Sequence, residues 1–142
     1  MRHTGGHTAA VRVSGTADGR DIMEVIRTRA HLLTGTDRDL LLMYLEHGNH
    51  FRQIARLAGL TRTSVARRIR RIIRRLADDT YALCLSRRDD FTGRELALIK
   101  DCFVRGLSIK SISRSRGATR YHVRMVIQKA RKCAASTKAL CP

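Results

Sequence analysis

Apolar residues recur at helical spacing in separate runs along residues 33–76: Leu40, Leu41, Tyr44 and Leu45, then Phe51, Ile54 and Ala55, then Val65, Ile69, Ile72 and Leu76. Positions three and four apart share one side of a helix, so each run predicts a helix with a single apolar stripe. Gly48 and Gly59 stand between the runs, where the left-handed conformation that closes a helix costs glycine least. Thr34 and Thr61 fall where N-caps are needed, with Asp37 as a short substitute for the acidic partner of a capping box.

Displacing the sequence by 58 positions repeats this pattern without a gap, residues 33–69 falling on 91–127. Gly48, Ile54, Gly59, Thr61, Arg62, Val65 and Ile69 meet Gly106, Ile112, Gly117, Thr119, Arg120, Val123 and Ile127. The identities sit at caps, turns and stripe positions, which specify backbone and core, so one small fold is expected twice. In the second copy Thr92 and Glu95 complete a capping box. Leu98, Ile99, Cys102 and Phe103, then Ile109 and Ile112, then Val123, Val126, Ile127 and Ala130 form the stripes. Helix, short glycine turn, helix is the helix-turn-helix pattern. The expected fold is all-α, two tandem three-helix helix-turn-helix units.

The expected boundaries are a disordered segment over 1–20, a first unit over 21–76, a linker or helical extension over 77–90, a second unit over 91–134 and a tail over 135–142. Residues 21–32 carry Ile22, Val25 and Ile26 at helical spacing and are expected to brace the first unit.

Charge changes the picture from fold to partner. The net charge is +17 over 142 residues. Residues 33–76 contribute +7 and residues 91–134 contribute +9, so the excess lies on the two repeats. The stretch 59–76 holds seven arginines and no acid. Like charges at such spacing destabilise an isolated helix, and a polyanion that neutralises them is the natural complement. Cys84, Cys102, Cys133 and Cys141 have no paired spacing of the kind that binds zinc. No metal site, cofactor or catalytic group is expected, and the chain is not expected to be an enzyme. With neither a signal-peptide pattern nor an apolar run of spanning length, it is expected to be cytoplasmic and nucleoid-associated, without a membrane partner.

The run "HFRQIARLAGLTRTSVARRIRRIIRRL", preceded by "LTGTDRDLLLMYLEHG", resembles the fourth conserved region of bacterial sigma factors. The second copy, "GLSIKSISRSRGATRYHVRMVIQKARK", is similar with departures at Ser113 and Ala118. That resemblance implies a third helix entering the major groove of promoter DNA, with RNA polymerase as a further partner. Trp is absent and Phe and Tyr number three each, so the aromatic cluster with which such factors melt promoters is lacking. The chain is not expected to act alone as a sigma factor.

A recognition helix reads bases with its first turns. Opposite the stripes lie Arg62, Thr63, Ala66, Arg67 and Arg70 in the first copy and Arg120, Tyr121, Arg124, Met125 and Gln128 in the second. These are the base-reading candidates, and their differences imply that the two units read different bases. Arg52, Arg68, Arg71, Arg74, Arg75, Lys110, Lys129, Arg131 and Lys132 are the phosphate candidates. The leading expectation is a sequence-preferring double-stranded DNA-binding protein, a sigma-like regulator of transcription. The alternative is a nucleoid-type architectural protein with little base preference, and double-stranded DNA is the partner in both.

Overall fold

The computed structural model describes residues 19–46 and 50–140, and every regular element among them is helical. The expected disorder of residues 1–20 falls almost wholly outside the described residues, as do His47, Gly48 and Cys141. The chain divides into two compact units, Met1–Ala77 and Asp78–Pro142.

In the first unit, α1 (Gly19–Arg29) leads through a 3-10 turn (Ala30–Leu32) to α2 (Gly35–Glu46), α3 (Phe51–Ala58) and α4 (Arg62–Ala77). α4 packs on all three other helices. Its stripe is sealed: Val65, Ile69, Ile72, Ile73 and Leu76 are each at most 1% exposed, as are Ile26, Leu40, Leu41 and Ile54 on the helices it packs against. Each such side chain contributes about 1.5–3 kcal/mol on burial, whereas each like-charge pair costs a few tenths. Packing therefore decides that this arginine-rich segment is a helix. Arg29 closes the far end by donating from Nη1 to the Leu76 carbonyl at 2.6 Å.

The second unit runs α5 (Thr80–Ser86), a 3-10 turn (Arg88–Asp90), α6 (Gly93–Phe103), α7 (Ile109–Arg116) and α8 (Arg120–Leu140). α8 packs on α5, α6 and α7. The 58-residue offset now extends further back than sequence identity did. The turn at Ala30–Leu32 corresponds to Arg88–Asp90, and fully buried Ile26 corresponds to fully buried Cys84. Among the described residues each unit thus has four helices rather than three, α5 bracing α8 as α1 braces α4. Residues 77–90, read as a linker or helical extension, supply that brace. The tail also differs from expectation, since α8 continues through residues 135–140.

Glycines end the helices that precede α4 and α8. Gly59 has φ +70° and Gly117 φ +63°, and their N–H groups return to the carbonyls of Ala55 and Ser113. Thr61 and Thr119 cap the next helices, accepting from the N–H of Ser64 at 3.1 Å and of His122 at 3.0 Å. The Thr92–Glu95 capping box is present in both directions, at 3.0 and 2.9 Å. Asp37 behaves differently from its sequence role. Its carboxylate receives Arg68 Nε and Arg75 Nη2, both at 3.0 Å, and fastens α2 to α4.

Candidate nucleic-acid interface

On α4, Arg62, Thr63, Ala66, Arg67 and Arg70 come together along one groove of about 340 Å³, which Arg71 and Arg74 extend. All the first-copy base-reading candidates are in it, and no carboxylate is among its lining residues. Spacings of three and four produce this face, and at 1.5 Å per residue Arg62 to Arg74 spans roughly 18 Å. Ala66, expected to face outward, is only 6% exposed. It forms the floor between taller arginines, so a ligand edge can approach the helix backbone there.

The corresponding face of α8 forms a groove of about 400 Å³ lined by Tyr121, Arg124, Met125, Gln128 and Arg131, together with Ile109 and Ile127. It has less charge and more apolar surface. Tyr121 is 71% and Met125 45% exposed, so the apolar part of this groove is open to solvent. Arg120, at the start of α8, is exposed but does not line this groove.

The phosphate candidates separate into two groups. Arg52, Arg71, Arg74, Lys110, Arg131 and Lys132 are exposed, and Arg131 also lies 5.6 Å over the Phe103 ring. Arg68 and Arg75 are engaged by Asp37. Lys129 bonds Glu95 at 3.1 Å and lies 4.8 Å over the Phe91 ring. For these three residues, neutralisation begins inside the fold and leaves less charge for an external anion. Burial tends to raise the pKa of Glu95, but the Thr92 backbone bond and Lys129 outweigh it and hold the carboxyl below its usual range.

One functional support was not legible from spacing. Asp101 on α6 is 1% exposed. It accepts from Arg116 Nε at 2.8 Å, Arg116 Nη2 at 3.1 Å and Arg105 Nη1 at 3.1 Å. Burial alone would raise its pKa, yet the hydrogen bonds and charges of the two arginines prevail and lower it. Arg116 is the last residue of α7, immediately before Gly117, and Arg94 Nη2 holds its carbonyl at 3.1 Å. The turn that aims α8 is therefore clamped from α6. The departures at Ser113 and Ala118 fit the same turn, because the Ser113 hydroxyl donates to the Ala118 carbonyl at 2.5 Å.

Cys84, Cys102 and Cys133 are free thiols. Cys84 is fully buried, donates to the Ala130 carbonyl at 3.7 Å, and has its pKa pushed up to about 12 by burial and by neighbouring Cys133. Among the described residues no three His, Cys, Asp or Glu side chains gather as metal ligands. No described helix is long and apolar enough to cross a membrane. Compared with known proteins, the chain matches no family model and has no significant match among curated proteins or solved structures.

Proposed function

We propose that this chain is a sequence-preferring double-stranded DNA-binding protein that regulates transcription, with α4 and α8 as the recognition helices of two helix-turn-helix units. The observation that carries the reading is the acid-free groove of Arg62, Thr63, Ala66, Arg67 and Arg70, matched 58 residues later by the α8 face. A helix is about 10–12 Å across with its side chains, and the major groove is about 12 Å wide. Seated there, the floor and first turns of α4 meet base edges while Arg71 and Arg74 meet phosphates. Contacts of the second kind fix register without reading sequence.

The glycine turns and the caps at Thr61 and Thr119 set the angle between each recognition helix and the one before it. The unlike faces favour an asymmetric composite site over an inverted repeat read by one chain. RNA polymerase is the further partner that the sigma-like resemblance implies, and the nucleoid is the corresponding location. Selection of bound sites from random duplex DNA by the full chain tests the reading. A recovered motif bound roughly 10³-fold or more tightly than bulk DNA is expected. Enrichment of no sequence, with tight binding to all duplexes, would instead favour an architectural nucleoid role.

A further inference from the structure

The arginines of the α4 groove are not equivalent. Arg70 alone among them stacks on an aromatic ring: its Cζ lies 5.6 Å from the centroid of Phe51, within cation–π range. Phe51 is itself fixed, 3% exposed and stacked on Tyr44 at 5.6 Å between centroids and 17° between planes. The Nε of Arg70 is buried and has no hydrogen-bond partner. A guanidinium held this way has given up part of its freedom, and since Arg70 lines the groove, its two Nη groups are the donors left for a ligand there. Such a pair suits two acceptors side by side, which guanine presents as O6 and N7 in the major groove. Ordering the side chain before binding also removes part of the entropy cost that a free arginine meets on contact.

The second unit supplies an independent contrast. At the 58-residue offset Tyr44, Phe51 and Arg70 become Cys102, Ile109 and Gln128. The two rings and the guanidinium are replaced together, and Gln128 and Ile109 line the α8 groove where Arg70 lines that of α4. The aromatic platform is present where the arginine is and missing where an amide stands in its place. Arg131 also lies over a ring, that of Phe103, but is exposed, whereas Arg70 is half-buried, with its Nε enclosed above Phe51.

We propose that Arg70, oriented by Phe51, is a guanine-reading residue of the first unit and sets its specificity at one base pair; this rests on the reading that the chain binds a duplex DNA site. Arg67, Arg71 and Arg74, which have no ring beneath them, contribute affinity or readout elsewhere along the groove.

The test is site selection from random duplexes with the full chain and with Arg70→Lys, Arg70→Gln and Phe51→Ile, each checked for helical content and cooperative melting. The wild type is expected to prefer guanine at one column by roughly 5- to 150-fold, the range of a good bidentate contact. Arg70→Lys keeps the charge but not the planar pair. It is expected to flatten that column while the other columns of the motif keep their preferences. In Arg70→Gln the guanine preference disappears and adenine becomes the favoured base at that column, as amides pair with adenine N6 and N7. Phe51→Ile leaves Arg70 in place but removes its platform and is expected to weaken the same column. If Phe51→Ile does not fold, the two Arg70 variants still decide. Columns unchanged in Arg70→Lys, or weakened all alike, would overturn the guanine role while leaving duplex DNA binding intact. A wild type that enriches no sequence would overturn both.

Discussion

Replacing Asp101 by Asn is a sharp perturbation of the second unit, because it preserves size while removing charge from a side chain that is 1% exposed. Asp101 holds three hydrogen bonds from Arg105 and Arg116. In Asn, one carboxylate oxygen becomes a donor facing guanidinium donors. Removing one partner of a fully buried ion pair costs about 3–5 kcal/mol. Here the arginine side chains are 45% and 39% exposed and can be rehydrated, so the lower range for charged hydrogen bonds applies, about 1.5–3 kcal/mol. For a unit of this size the melting temperature should fall by roughly 6–24 °C.

The pH dependence identifies the cause. The folded pKa of Asp101 is lowered, so the unfolded chain binds its proton more tightly. Its stabilisation is complete above the unfolded value of about 3.9 and is lost as pH falls through the lower folded value. Thermal and urea unfolding of wild type and Asp101→Asn at neutral pH and in strong acid measures this difference, and amide exchange across α7 localises it. The gap between the proteins should narrow in acid, where protonated Asp101 resembles Asn. A difference below about 0.5 kcal/mol, or one unchanged by pH, would refute the clamp.

Other outcomes follow from the same packing. Residues 78–142 should fold alone, whereas residues 87–142 should not, since they lack α5 and leave the Cys84 site of the core open; circular dichroism and melting of both fragments check this. Gly117→Ala should destabilise the second unit by about 1–2 kcal/mol through backbone strain at φ +63° rather than crowding, because an added Cβ meets no atom within 4 Å. Chemical denaturation reads the effect, and Gly117→Asn should be milder. Arg71→Ala with Arg74→Ala should weaken binding to all duplexes alike and reduce the salt slope by about one for each phosphate no longer neutralised; titrations of selected and bulk duplexes distinguish this from a change of base preference.

The sequence made the helices and turns legible because their determinants are local. Stripes at Val65 to Leu76 and Val123 to Ala130, caps at Thr61 and Thr119, and glycines at Gly59 and Gly117 each act within a few residues. The α4 groove was legible for the same reason, since one helix face follows from spacing alone. Pairings between helices were not. Asp37 looks like a capping residue, yet its carboxylate serves Arg68 and Arg75, 31 and 38 residues away. Asp101 meets Arg116 across 15 residues. The platform under Arg70 joins three helices. Residues 77–90 hold one apolar run, Tyr81 to Leu85, which fits an extension of the preceding helix as well as a separate one, and α5 takes its place by burying Cys84, with Tyr81 packed beside it, in the second core.

The most direct measurement of the central claim is the affinity of the full chain for a duplex bearing its selected site, titrated over a salt series. Neutralising about 6–10 phosphates predicts a linear fall of log affinity with log salt and a drop of roughly 10³–10⁵ in affinity between about 50 and 200 mM. An affinity that stays flat across that range, or no binding at the lowest salt, would contradict the account.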